Sequence, residues 1–89
     1  MGPVEQEITA RLKSALVPET LIVSNDSASH HGHSGDDGSG ESHFSVTIVS
    51  ATFAGKNRVE RQRMVNRALG DLMAHRVHAM AIKALAPGE

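Results

Sequence analysis

The sequence predicts an α+β domain in which helices cover one face of a three-stranded sheet. Three observations predict it: two segments with helical apolar stripes, three short segments of strand character, and the order helix, strand, strand, helix, strand. Each helix needs a cover for its stripe, and a sheet with one apolar face supplies it. The 89 residues read as one domain, residues 1–89, without internal repeats. A chain of this length buries roughly 60–65% of its unfolded surface. With 39% hydrophobic residues it can build a core, but not a deep substrate cavity as well.

The elements follow in order. Residues 4–16, VEQEITARLKSAL, place Ile8, Leu12, Ala15 and Leu16 at i, i+4, i+7 and i+8, one helical face, with Glu5, Glu7, Arg11 and Lys13 elsewhere. Pro3 suits the first turn and Pro18 stops the helix. TLIVS, residues 20–24, is a β-branched run that reads as a strand. A flexible His/Gly/Ser/Asp loop is expected over 25–42. It is long for a connection inside a small domain, and such loops are functional or disordered. HFSVTIVS, residues 43–50, alternates: Phe44, Val46 and Ile48 share an apolar face, while His43, Ser45 and Thr47 share a wetter one. FAGKN forms a turn around Gly55. Residues 58–74 read as the second helix, with Val65, Ala68, Leu69 and Leu72 as its stripe and Asn57 as its N-cap. VHAMAIKAL, residues 77–85, reads as the last strand, with His78, Met80 and Ile82 on one face and Pro87 and Gly88 ending it.

Composition narrows the function classes. Nine Lys and Arg against ten Asp and Glu leave the chain near neutrality, so global charge implies neither nucleic acid nor membrane. Cysteine is absent, so the chain has no disulfide, no thiolate ligand and no thiol nucleophile. No apolar stretch approaches the ~20 residues of a membrane span. MGPVEQEIT lacks a signal peptide's apolar segment, and Gln6 breaks the myristoylation pattern. A soluble cytoplasmic protein without a membrane role is the expectation. No nucleophile elbow, phosphate-cradling glycine loop or paired-carboxylate motif is present, and GSGES has neither a strand before it nor a helix after it. The chain gives no positive case for an enzyme.

Two groups of residues bear chemistry. Four of the six histidines fall between Ser27 and Phe44. Among these His30, His31 and His33, with Asp26, Asp36, Asp37 and Glu41 nearby, suit a metal ion, since imidazole is the commonest protein metal ligand. A solvated polar loop with idle histidines accounts for the same residues; a tag fits less well, because the spacing is irregular and the stretch internal. His78 on its own reads as a structural residue at the rim of an apolar face. It becomes a ligand only if the loop reaches the same end of the sheet. The second group is KNRVERQRMVNR, where Lys56, Arg58, Arg61, Arg63 and Arg67 supply five of the nine basic residues against Glu60. Such a helix can meet phosphates. However, no aromatic residue is interleaved, and cations at a helix N-terminus oppose the macrodipole. Arg58 and Arg61 project close to the apolar stripe, which leaves pairing with carboxylates or ordinary solvation open.

The stretch GESHFSVTIVSATFAGKNRVERQRMVNRALGDLM, followed by VHAMAI, resembles the BolA family, and with LIVSNDS the similarity covers nearly the whole chain. The resemblance implies an α-β-β-α-β fold of the class II KH-like type. It also implies a non-enzymatic adaptor that pairs with a monothiol glutaredoxin, either apo or bridged by a 2Fe-2S cluster, in iron–sulfur trafficking and iron regulation. Transcriptional regulation through DNA, by way of the basic second helix, is the alternative the family suggests. In the cluster form the family's ligands map to His78 and, most directly, His30, with His31 and His33 as competitors. The partner and glutathione then supply the thiolates this chain lacks. Two imidazoles on one iron raise the reduction potential above that of all-thiolate clusters, and protonation of the imidazoles makes such a site acid-labile. The chain departs from the family's common RHRMVY, having Gln62 and Asn66 in place of a His and a Tyr.

Overall fold

Helix α1 (Pro3–Leu16) starts with Pro at its first position, where a missing N–H costs nothing, and carries Glu5 in its first turn and Lys13 in its last, both favourable to the helix dipole. It ends at Val17, whose N–H bonds the Lys13 carbonyl from a left-handed conformation, φ 45°. A β-branched residue there is strained by about 1–2 kcal/mol, and Pro18 immediately prevents continuation. The structure, a computed structural model, describes residues 2–26, 43–75, 77 and 79–89.

Three strands follow: β1 (Thr20–Asn25), β2 (His43–Val49) and β3 (Ala79–Leu85), in sheet order β1-β2-β3. β1 and β2 are antiparallel, from Thr20 opposite Val49 to Asn25 opposite Phe44. β2 and β3 are parallel, from His43 opposite Ala79 to Val49 opposite Leu85. A parallel pair needs a crossover, and residues 50–78 provide it through a 3₁₀ turn (Ala51–Phe53), helix α2 (Arg58–Leu69) and a short helix α3 (Leu72–His75). The expected α+β architecture with helices over a three-stranded sheet is therefore present.

Alternation places the core. Phe44, Val46 and Ile48 of β2 are buried, and their register partners Leu21, Val23, Met80, Ile82 and Ala84 pack around them. Against this face lie Val4, Ile8, Leu12 and Leu16 of α1, then Val65 and Leu69 of α2, with Phe53, Leu72, Val77 and Ala86 closing the rim. Ala15, assigned to the first helix's stripe from spacing, is exposed, and Val4 takes part instead. The stripe turns toward the N-terminus because positions 4, 8, 12 and 16 recur at i+4 and stay on one face over the four turns.

Several boundaries differ from the sequence reading. Asn25 is not loop but the last residue of β1, and the Asp26 N–H donates to the His43 carbonyl at 2.8 Å. β2 stops at Val49 because Ser50 turns into the 3₁₀ segment. β3 begins at Ala79 rather than Val77, and Val77 is buried as a core residue outside it. The second helix does not run through 58–74. It breaks at Gly70, φ 58° and ψ −129°, and resumes at Leu72. Leu72 still falls on the apolar stripe, which is why periodicity alone bridges the break. Arg11 of α1 seals it, donating from Nη1 to the Leu69 carbonyl at 2.6 Å and to Asp71 at 2.9 Å, while Nε holds Glu7 at 2.9 Å. A Cβ on Gly70 would stand 3.2 Å from that guanidinium in a backbone region L-residues avoid.

Ser50 joins the layers. It is only 1% exposed, and its hydroxyl donates to the Leu16 carbonyl at 2.6 Å, one of the orphan acceptors at the end of α1. The same oxygen accepts from the Thr52 N–H at 3.2 Å and pairs with the Thr52 hydroxyl at 2.7 Å. One donor and two acceptor sites are thereby filled. Replacing Ser50 with Ala leaves a helix-end carbonyl without its partner in the core, so we expect a loss of about 1–3 kcal/mol. Urea denaturation, read as a lower midpoint at unchanged slope, measures it.

Candidate functional site

The described residues form two chemically distinct regions, one at each end of β3. The first lies where β3 begins. His43 opens β2 in register with Ala79, and Asp26 leaves β1 hydrogen-bonded to His43. The Asp26 carboxylate is fixed from two strands: Ser24 Oγ donates to it at 3.1 Å, and Ser45 Oγ donates to its other oxygen. His43 belongs by alternation to the wetter face of the sheet, yet it is 7% exposed. The residues that bracket the histidine-rich segment, Asp26 and His43, thus share one sheet end with Ala79. The candidate ligands themselves, His30, His31, His33 and His78, lie outside the described residues, as does the rest of the 27–42 segment. Among the described residues no group of three or more His, Cys, Asp or Glu side chains is placed to hold a metal ion.

The second region is a groove of about 620 Å³ between the start of α2 and the far end of β3, lined among others by Lys56, Arg58, Arg61, Lys83 and Glu89. Asn57 caps α2 as expected, its side chain accepting from the Glu60 N–H at 2.9 Å, and this fixes the direction in which Arg58 and Arg61 leave the helix. Arg58 is exposed. All three nitrogens of Arg61 are hydrogen-bonded within the chain, and its side chain is 13% exposed. Nε donates to the Lys56 carbonyl at 2.9 Å, Nη1 to the Ala84 carbonyl at 3.1 Å, and the two terminal nitrogens grip both Glu89 oxygens at 2.5 and 2.9 Å. One Glu89 oxygen also accepts from the Ala86 N–H at 3.0 Å.

The five basic residues named from sequence are not one surface. Lys56, Arg58 and Arg61 face the groove; Arg67 instead borders a small cleft between α1 and α2, beside Ala15, Leu16, Met64 and Ala68. Arg63 is exposed. The sequence reading missed Lys83 and Glu89. Both are remote in sequence from the basic helix, and only the parallel β2–β3 register brings them to it. No helix among the described residues is long and apolar enough to cross a membrane.

The Arg61 hydrogen bonds, followed by that of the Ala86 N–H, hold the Glu89 carboxyl below its ordinary 4.5, at about 2. A depressed folded-state value means that the stabilisation is complete above about pH 4.5, and is lost as pH falls through the folded value. We expect the stability difference between the native chain and Glu89→Gln to be constant above about pH 5 and to shrink progressively toward about pH 2. Paired denaturation curves across that range measure it; a difference independent of pH contradicts the ion-pair geometry.

Comparison with known proteins places these features in a family. The model for "BolA-like protein" matches residues 12–89. BolA-like protein 1 of Mus musculus is 44% identical over 88 residues, covering 99% of this chain. This chain spans 61% of that relative's length. The DNA-binding transcriptional regulator BolA of Vibrio cholerae is 42% identical over 89% of this chain and 71% of its own length. Among solved structures, the BolA domain of SufE1 from Arabidopsis thaliana superposes with a TM-score of 0.87 at 36% identity, covering 98% of this chain and 95% of that one.

Proposed function

The chain belongs to the BolA-like family, and from that premise we propose that it is a non-enzymatic cytoplasmic adaptor that binds a monothiol glutaredoxin and co-ligates a bridging 2Fe-2S cluster in iron–sulfur trafficking and iron regulation. The observation that carries this reading is the convergence of Asp26, His43 and Ala79 at one sheet end. Asp26 and His43 immediately bracket the segment of the loop histidines, and Ala79 directly follows His78 in sequence. The residues flanking both sets of candidate ligands therefore stand beside one another.

The donor chemistry fits. With no cysteine in the chain, imidazole is the nitrogen donor it can offer, and the thiolates come from the glutaredoxin and from glutathione. A 2Fe-2S cluster ligated in that way supplies one-electron chemistry at a higher potential than an all-thiolate cluster. This chain's part is to hold neutral imidazoles in reach and to keep the sheet end ordered while the partner docks. The Asp26–Ser24–Ser45 hydrogen bonds serve the second task. A structural relative whose name joins a BolA domain to SufE1 lends the iron–sulfur reading further support.

A second reading has its own observation in favour: the groove cations Lys56, Arg58 and Lys83, together with relatives named as DNA-binding transcriptional regulators. Phosphate neutralisation makes this reading strongly salt-dependent, whereas ligation depends on the histidines.

Anaerobic reconstitution with a monothiol glutaredoxin, iron, sulfide and glutathione tests the first reading by visible absorption and by the mass of the complex. We expect His78→Ala to alter the cluster spectrum severely or to leave only the glutaredoxin's own cluster. His30→Ala should do less, because His31 and His33 are adjacent substitutes, and the triple variant should approach the His78→Ala result. A native spectrum and native cluster stability in His78→Ala refute the ligand assignment. For the second reading, Arg58→Ala combined with Arg63→Ala should flatten the salt slope of DNA binding by about 0.9 for each phosphate that is no longer neutralised. An unchanged slope removes the helix from consideration.

A further inference from the structure

The Arg61 guanidinium is held by backbone oxygens as well as by its anion. Its Nε donates to the Lys56 carbonyl and one Nη1 hydrogen to the Ala84 carbonyl, so two backbone oxygens from different elements fix the plane of the group. What remains is the outer fork, Nη1 and Nη2, whose parallel N–H bonds match a planar carboxylate or a phosphate. In this structure both bonds go to Glu89. That carboxylate comes from a short turn after β3, closed by the Glu89 N–H on the Ala86 carbonyl at 3.1 Å, and its side chain is 45% exposed. Around it the groove carries Lys56, Arg58 and Lys83, with Glu89 as the one acidic lining residue among the described residues. A rigid cationic fork, ringed by further cations and filled by a half-exposed carboxylate of the same chain, is the arrangement of a receptor occupied by its own competitor.

We propose that the Arg61 fork is an anion-binding site for a nucleic-acid phosphate and that Glu89 occupies it in competition, keeping the fork filled until a phosphate displaces it. This rests on the nucleic-acid reading above and adds its regulation. Displacement exchanges one bidentate partner for another at a guanidinium that does not have to move, and it frees a carboxylate to swing into solvent on its turn. It also removes the negative charge that would otherwise stand among Lys56, Arg58 and Lys83 and repel the phosphate backbone.

The test measures binding of the full chain to a short DNA duplex by fluorescence anisotropy over a salt series. Glu89→Gln should bind about three- to tenfold more tightly near physiological salt, and its log–log salt slope should steepen by about 0.9, the value for one more phosphate neutralised. Glu19→Gln changes net charge equally on an exposed residue that does not line the groove and should gain little. Combining Arg61→Lys with Glu89→Gln keeps the cation but removes the fork, and should abolish the gain. In the native chain the Arg61 Nε–H resonance should move on titration with the duplex. Equal affinity of the native chain and Glu89→Gln, with salt-dependent binding that still falls in the Arg58/Arg63 variant, overturns the competitor while the nucleic-acid reading stands. Equal gains in Glu19→Gln and Glu89→Gln overturn it as a bulk charge effect. Absence of salt-dependent DNA binding in both proteins overturns both readings. A gain toward poly-glutamate without one toward the duplex overturns the assignment to phosphate.

Discussion

Strand β2 pairs antiparallel with β1 on one side and parallel with β3 on the other, and the location of every other element follows from that asymmetry. The antiparallel pair can be joined across one sheet end; the parallel pair requires the chain to return the full length of the sheet. The return passes through α2, which packs beside α1 over the face built by Phe44, Val46 and Ile48. One face of the sheet is thus covered and the other carries the Thr, Ser and Lys positions of the same alternation. A shift of register by one residue would exchange the two faces, so the buried row of β2 fixes both pairings at once. Ser50 then ties the end of the central strand to the end of α1, converting a stack of layers into a connected unit.

Parallel pairing also separates the two chemically active regions. Ala79 marks the beginning of β3 and Leu85 its end, roughly 20 Å apart at the usual strand rise. The end with Asp26 and His43 is built of hydroxyls, a carboxylate and imidazole. The other is built of guanidinium and ammonium groups around one carboxylate. The two regions draw on different side chains, so the cluster reading and the anion reading proposed above do not compete for the same residues.

Most of the architecture was legible because it rests on local periodicity. The apolar row of β2, the Ile8–Leu12–Leu16 spacing in α1 and the Asn57 cap each report a local constraint that the structure keeps, while Ala15 does not join the α1 stripe. The α2 break was encoded too, in the Gly70–Asp71 pair, but Leu72 continues the apolar stripe across it and masks the stop. Val77 reads as strand because its β-branched side chain belongs in the core, which it reaches without joining β3. The groove was legible only in part. Its basic helix stands out in sequence, and Arg61 was open to pairing with a carboxylate. The partner, Glu89, and the fourth cation, Lys83, are set by tertiary register, which leaves no local trace. For the histidines the sequence supplies residue type and family pattern; the structure contributes the meeting of their flanking residues.

The closed base of the β1–β2 connection has a consequence for how this chain tolerates change. Asn25 opposite Phe44, followed by the Asp26–His43 hydrogen bond, completes the ladder before the histidine-rich segment begins. Among the described residues the core face is built on both sides of that segment. Loop closure depends only logarithmically on length, so doubling such a connection costs about 0.6 kcal/mol. The join between Asp26 and His43 is therefore an insertion point this ladder is built to accept: lengthening the connection there costs little closure entropy, and the pairing on either side is already complete.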